Sequence, residues 1–234
     1  MKTILKYAQL PFQFSEKILV DELNSLDEQW MLHYNKAHYE GDWCALPLRS
    51  LGGKIDNVLP ENKYGIAFMD SPLMDKCPYI KSITQIFPCQ HNAIRLLNLK
   101  AGAIIKEHRD ADLNYENNEA RIHIPITTNP NVEFYLDNER MTVLPGECWY
   151  MNFNLPHRIT NAGSTDRVHL VMDIILNDAV RELFSKSDPE KTKYIKAKPA
   201  FDVATRKEII KMLIAQNTTV SLQLAKEMEA ELYE

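Results

Sequence analysis

The residues of this 234-residue chain best suited to chemistry are His108-Arg109-Asp110 and a distant His157. An imidazole and a carboxylate two positions apart on an extended segment point to the same side. His108 and Asp110 can therefore bind one ion together, and His157 adds a second nitrogen. Two nitrogens and one oxygen make the 2-His-1-carboxylate triad, which holds Fe(II) on one face and leaves positions open for ligands from solution. Ten residues further on, Arg167 opens the run Arg167-Val-His-Leu-Val-Met-Asp173. A guanidinium offers a planar fork that bonds both oxygens of a carboxylate, so Arg167 suits the distal carboxylate of 2-oxoglutarate. Taken singly, each feature has a plain alternative: a chance His-x-Asp, an unremarkable histidine, a surface arginine at a strand start. Their order along the chain carries the reading.

Arg121-Ile-His123-Ile-Pro-Ile126 repeats the polar alternation. Arg121 and His123 share one face of a strand, opposite Ile122, Ile124 and Ile126. That face lines either a polar cavity between sheets or a solvent-facing edge. Of Trp149 and Tyr150, one is expected to pack the core and the other to wall the pocket, and Cys148 reads as an inert buried thiol. His33, His38 and His91 have no partner spacing that suggests ligation. His-Arg-Asp is also the core of the protein-kinase catalytic loop, but the asparagine of that loop is misplaced, since Asn114 comes one residue early. No glycine-rich loop, strand lysine or Asp-Phe-Gly follows in kinase order.

The elements that must position these groups are short strands. From Ala93 onward the candidates are 94–99, 103–107, 121–127, 132–136, 141–144, 147–153, 157–161 and 167–176, separated by breakers such as Asn129-Pro130, Asp137-Asn138 and Pro145-Gly146. Short strands at close spacing predict a mainly β fold, a double-stranded jelly roll of cupin-like form with flanking helices. Upstream, Ser15 caps a predicted helix through Ile18, Leu19, Leu23, Leu26, Trp30 and Met31. Gly52-Gly53 to Pro60 reads as a loop or turn, and a short helix is expected over 79–87, ended by Pro88. After Asn177 the strands stop. Val180–Phe184 reads as helix, 185–199 as a polar linker, and 203–215 and 218–233 as two amphipathic helices. The expected organisation is a jelly-roll domain with N-terminal helical elements over 1–178 and a helical extension over 179–234. The apolar stripes Ile209, Ile210, Leu213, Ile214 and Leu222, Leu224, Ala225, Met228, Leu232 must cover the jelly roll or form a homodimer contact.

Composition sets bounds. Hydrophobic residues are 45% and charged residues 25%, ordinary for a globular chain, and the net charge of −5 gives no basis for nucleic-acid binding. No run approaches the roughly 18 apolar residues of a membrane span, and the N-terminus lacks a signal-peptide core. Cys44, Cys77, Cys89 and Cys148 form no C-x-x-C pair and read as reduced thiols of a cytoplasmic protein.

With these residues in view, the stretch from about 93 to 176 resembles the aspartyl/asparaginyl β-hydroxylases among the Fe(II)/2-oxoglutarate-dependent oxygenases. The resemblance runs through Arg95-Leu-Leu-Asn-Leu-Lys-Ala-Gly102, His108-Arg-Asp110, Arg121-Ile-His123-Ile-Pro, Pro145-Gly146-Glu147, Asn152-Phe-Asn-Leu-Pro-His157 and Arg167-Val-His-Leu. It implies that His108, Asp110 and His157 ligate iron, that Arg167 takes the distal carboxylate of 2-oxoglutarate, and that Arg121 and His123 line the co-substrate and substrate side of the pocket. The animal members lack the acidic ligand and carry a further arginine where Glu119 stands here. The chain is more similar to the small bacterial branch that includes proline cis-hydroxylases. Trp43-Cys-Ala-Leu-Pro-Leu-Arg-Ser-Leu-Gly-Gly53 resembles a substrate-side segment of that branch, which offers Arg49 and Ser50 to a substrate carboxylate; the other reading of this pair is a surface loop with a cap or turn. The implied enzyme hydroxylates an aliphatic carbon of a free amino acid or small peptide, consuming O₂ and 2-oxoglutarate and releasing succinate and CO₂. Because Asp110 fills the position a chloride would need, hydroxylation is expected over halogenation. The alternatives are hydroxylation of an Asp, Asn or other side chain in a protein, and a jelly-roll binding module without turnover.

Overall fold

A computed structural model describes residues 3–27, 30–60, 65–110, 113–197 and 203–230. The chain begins with β1 (Thr3–Gln13), α1 (Glu16–Ser25), β2 (Met31–Leu32), β3 (Tyr39–Glu40), β4 (Trp43–Leu51), β5 (Phe68–Asp70) and α2 (Pro78–Thr84). The central strands are β6 (His91–Leu99), β7 (Ile104–His108), β8 (Glu119–Thr127), β9 (Val132–Leu136), β10 (Glu139–Met141), β11 (Glu147–Met151), β12 (His157–Asn161) and β13 (Arg167–Ile175). They are followed by α3 (Asp178–Ser185), β14 (Thr192–Lys196), α4 (Val203–Gln216) and α5 (Thr219–Ala230).

Two compact units divide the chain. The larger is Leu5–Lys193; the smaller holds the chain from Tyr194 onward with the extreme N-terminus. In the larger unit the major sheet runs β1-β11-β8-β13-β6-β4-β2, with β5 on β4, and the minor sheet runs β10-β9-β12-β7-β3. From β6 to β13 the chain alternates between sheets except at the β9–β10 hairpin, which lies in the minor sheet, and neighbours are antiparallel throughout. That is the jelly roll the sequence predicts.

The two faces of the major sheet differ in chemistry. Ile122, Ile124, Ile126, Leu170, Met172, Ile174, Ile94 and Leu96 form the outer core with Leu19, Ile80, Ile83, Val180 and Phe184 of α1, α2 and α3. The alternate residues, among them Arg95, Arg121, His123, Arg167, His169 and Asp173, face inward and are all buried. Tyr150 belongs to the outer core, its ring 5.4 Å from Phe184 and its hydroxyl accepting from the Tyr115 amide at 2.9 Å. Trp149 is buried on the other side, its Nε1 donating to Glu147.

Ser15 caps α1 as expected, accepting from the Ile18 amide. The helix stops at Ser25, however, because Leu26 turns extended, and Met31 starts a strand instead. Buried Glu22 of α1 accepts from the Tyr79 and Ile80 amides, capping α2 in place of a local residue. Pro78 stands at the first position of α2, where its missing N–H costs nothing. The first 50 residues are less helical than expected and lend β1 and β4 to the major sheet. β10 ends at Met141 rather than beginning there: Asp137 and Asn138 both adopt left-handed φ, forming a two-residue hairpin that starts β10 at Glu139. Val180 and Phe184 anchor α3 in the core of the larger unit, which runs to Lys193.

In the smaller unit α4 and α5 match the expected helices and bury Ile210 and Ala225, while Ile214, Leu222 and Leu224 stay exposed. Leu232 lies outside the described residues. No described helix is long and apolar enough to cross a membrane. The four cysteines are free, and burial pushes the Cys148 thiol well up.

Gly146 ties the end of β1 to the start of β11. Its φ is +78°, its amide donates to the Pro125 carbonyl, and its own carbonyl accepts from the Phe14 amide at 2.8 Å. A Cβ at this position would collide with the Phe14 carbonyl oxygen. Gly146→Ala is expected to cost more than about 2 kcal/mol, combining a left-handed backbone with a backbone clash. Urea denaturation checks this, and a midpoint within error of wild type would contradict it.

Candidate metal centre and its pocket

His108 ends β7 and His157 begins β12; the register sets them directly opposite each other, with ring centres 4.2 Å apart. The chain then turns, and the Asp110 amide donates to the Phe153 carbonyl at 2.9 Å. This anchor brings Asp110 Oδ1 to 3.6 Å from His108 Nε2. One ligand atom from each of His108, Asp110 and His157 lies within 4.8 Å of the others.

Both imidazoles are held in one tautomer. His108 Nδ1 lies 2.8 Å from the Lys106 carbonyl and His157 Nδ1 lies 3.1 Å from the Leu155 carbonyl. A carbonyl only accepts, so each Nδ1 carries the hydrogen and each Nε2 presents a lone pair. Burial, then the neighbouring His108, brings His157 down to about 4, so it is neutral at pH 7. Burial opposes the Asp110 charge, but Arg121, His157 and His108 together hold its carboxyl below the usual range. Two imidazoles and one carboxylate, each oriented by a fixed partner, fit a divalent ion such as Fe(II).

Asp110 is oriented by a buried chain of charges. Arg121 Nη1 donates to Asp110 Oδ2 at 2.5 Å. Arg121 Nε and Nη2 donate to the two oxygens of Asp173 at 2.6 and 3.0 Å, and Arg95 Nη2 donates to Asp173 Oδ2 at 3.0 Å. Arg121 therefore borders the pocket as expected, but its fork is engaged by two carboxylates and is not open to a ligand. Arg95 and Asp173 escape a motif reading. For Asp173 the one sequence signal is the alternation that puts it on the face of Arg167.

Arg167 has the opposite situation. It is 3% exposed, and among the described residues no carboxylate reaches it. Nη2 contacts His169 Nδ1 at 3.2 Å, the guanidinium stands 5.8 Å from the Phe134 ring centre, and Nε has no partner. Burial lowers it to about 9, still cationic at neutral pH. His169 Nδ1 also lies 3.4 Å from His123 Nδ1. His123 packs on Phe153, which packs on His157, so ring contacts run from Arg167 to the triad. The solvent-edge alternative for Arg121 and His123 is thereby set aside: both are buried between the sheets.

A cavity of about 870 Å³ opens in front of the triad, bordered by Tyr34, His38, Arg49, His91, Asp110 and Arg121. His38 lies on this wall rather than remote from the site, its ring 4.6 Å from that of His108 and its Nδ1 accepting from the Asn35 amide at 3.0 Å. Arg49 borders the cavity, but its three nitrogens bond to Asp70, the Phe68 carbonyl and the His91 carbonyl. Ser50 does not border it. Its buried hydroxyl donates to the Lys54 carbonyl in the turn between β4 and β5, and the pair stands in strand β4 rather than in a surface loop.

Burial is the leading cause that lowers His33 to about 3, His157 to about 4, and His123 and His169 well below the ordinary value. Below pH ~6.5 the unfolded chain takes up protons that the fold excludes. Stability of the metal-free protein is therefore expected to fall as pH drops from ~6.5 toward 4, by up to about 1.4 kcal/mol per pH unit for each such ring. Urea midpoints at pH 7.5 and pH 5 check this; equal midpoints would show the rings charged in the folded state.

The aspartyl/asparaginyl beta-hydroxylase family has a sequence profile that matches residues 13–176. L-proline cis-4-hydroxylase of Rhizobium meliloti (strain 1021) is 26% identical over 168 residues, which are 69% of this chain and 58% of that protein. The chain thus matches less than two thirds of this relative's length. Among solved structures, a Pseudomonas putida prolyl-4-hydroxylase gives a TM-score of 0.46 at 11% identity, covering 74% of this chain and 94% of the other. A 2OG-Fe(II) oxygenase-family oxidoreductase from Burkholderia pseudomallei gives 0.46 at 11% identity, covering 68% and 77%. With the profile spanning the whole jelly roll and its triad, the chain belongs to the aspartyl/asparaginyl beta-hydroxylase family.

Proposed function

We infer that the protein is an Fe(II)- and 2-oxoglutarate-dependent hydroxylase acting on an aliphatic carbon of a free amino acid, proline-like, or a small peptide. The carrying observation is the conjunction, between the same two sheets, of three convergent ligand atoms with a buried guanidinium that has no carboxylate. When bound, Fe(II) with 2-oxoglutarate and O₂ supplies the oxidising power that turns C–H into C–OH, with succinate and CO₂ as co-products. His108, Asp110 and His157 hold the metal, and Arg167 pairs with the distal carboxylate of the co-substrate. Phe134, beside Arg167, and Phe153, beside His157, stack on each other between the two. The substrate enters by the cavity that His38 and Tyr34 border, and a proline-like substrate follows from the similarity to the proline cis-4-hydroxylase. Asp110 as a ligand supports hydroxylation and not halogenation.

A second reading, hydroxylation of a side chain within a longer peptide, is favoured by the cavity volume, which suits a ligand larger than one amino acid. Turnover of free amino acids against peptides, followed by succinate release, separates the two.

Anaerobic addition of Fe(II) and 2-oxoglutarate to the metal-free protein tests the chemistry. The expected result is a weak visible absorption band, absent from Asp110→Ala and Arg167→Ala. A folded wild-type protein without the band would remove the oxygenase reading. The unpaired Arg167 makes a further prediction. Arg167→Met is expected to weaken 2-oxoglutarate binding by about thirtyfold or more. The same substitution should stabilise the ligand-free protein by about 1–4 kcal/mol, because it removes an uncompensated buried charge. Calorimetry and urea denaturation read the two effects, and a destabilised Arg167→Met would contradict the unpaired charge.

A further inference from the structure

We propose that Asp173 is the positioning residue of the metal centre, acting through Arg121 to present Asp110 to the metal through one oxygen. This rests on the triad being a metal site. Asp110 Oδ2 is taken by Arg121 Nη1, which leaves Oδ1, on the His108 side, as the free donor. A carboxylate with both oxygens on the ion would occupy one more position, whereas the triad chemistry needs three left open. The constraint on Asp110 is only as firm as the guanidinium that supplies it. Arg121 has a long side chain, and a single bond to Asp110 would leave its plane free to rotate. Asp173 removes that freedom by accepting from both Nε and Nη2, which fixes the plane of the fork.

Asp173 is in turn placed by the sheet. It stands directly opposite Arg121 in the β8–β13 register, is 2% exposed, and is held from the other side by Arg95 of β6. The aim of Asp110, which lies beyond the end of β7, is thereby inherited from three central strands. The four charges alternate and sum to zero, so the array brings no net charge to the ion. Asp173 bonds to neither histidine ligand nor to Asp110, so its effect is transmitted and not direct.

The test is Mn(II) affinity of the metal-free protein without co-substrate, from free Mn(II) by electron paramagnetic resonance, with circular dichroism as the check on folding. Asp173→Asn is expected to remain folded and to bind Mn(II) about 10–100-fold more weakly than wild type, the usual loss for a partner of a metal ligand. Because Asp173→Asn leaves two buried arginines facing each other, Arg95→Met/Asp173→Asn serves as the charge-balanced second variant. It should show the same loss of affinity with a near wild-type melting temperature. A purely structural role would lower the melting temperature and leave the affinity of the folded protein unchanged. Wild-type affinity in either folded variant overturns the proposal, and so does failure of both to fold, which would assign Asp173 to stability alone. Absence of Mn(II) binding by wild type would instead overturn the hydroxylase reading on which the proposal stands.

Discussion

Arg95, Asp173 and Arg121 are buried, and with Asp110 at the cavity edge they form a chain of two cations and two anions. Desolvating each ion costs several kcal/mol, and their mutual attraction offsets this only when the geometry is good. Good geometry here requires that β6, β13 and β8 be neighbours and that Arg121 stand opposite Asp173. A slip of one residue in β13 would carry Asp173 to the outer face, among Ile122, Met172 and Phe184, with no partner. The ion pairs are thus better regarded as specifying register than as supplying stability. The β7–β12 register of the minor sheet brings His108 and His157 to one place, and the ion pairs hold Asp110 against them.

Stability comes from the other side of the same sheet. The isoleucines of β8 and the apolar residues of β13 and β6 pack beneath α1, α2 and α3, forming an apolar core. A jelly roll whose apolar core lay between its sheets would have no space for Arg95, Arg121 and Arg167 beside the buried His123, His157 and His169. Moving the hydrophobic work to the outer face frees the inner layer for polar groups and for a cavity. The helices therefore belong to the larger unit for a physical reason, and α3 in particular seals this core through Val180 and Phe184.

Much of this was legible in the sequence. Turn signals at Asn129-Pro130, Asp137-Asn138 and Pro145-Gly146 and the alternation in 121–126 and 167–173 suffice to draw the jelly roll from β6 to β13. They suffice as well to place His108, Asp110 and His157 together. β4 escaped because it is buried along nearly its whole length and shows no period-two pattern. β1 escaped because it crosses Pro11, a residue confined to sheet edges, and buries Lys6 through Glu139 rather than an apolar side chain. At the site, His38 and Arg95 were hidden for another reason. Each meets the site only through tertiary pairing: His38 reaches His108 when β3 pairs with β7, and Arg95 finds Asp173 on a strand that follows it by some seventy residues.

The limit of sequence reading is clearest in two matching motifs. Arg121-x-His123 and Arg167-x-His169 are each an arginine and a histidine on one face of a strand, and both pairs are buried in the inner layer. Alternation assigns them the same environment. Cross-strand pairing separates them: Arg121 meets Asp173, whereas Arg167 lies opposite Leu99, which has no charge to offer. Burial disfavours the charge of both, and only at Arg121 is it outweighed. Its two carboxylates raise Arg121 far above the ordinary arginine value, and Arg167, without one, is lowered. A paired buried cation is already satisfied and can only orient its neighbours. An unpaired one leaves a charge for something else to neutralise, which is the role proposed for the distal carboxylate at Arg167. The difference between a structural arginine and a ligand-binding one is therefore a property of the register, not of the motif.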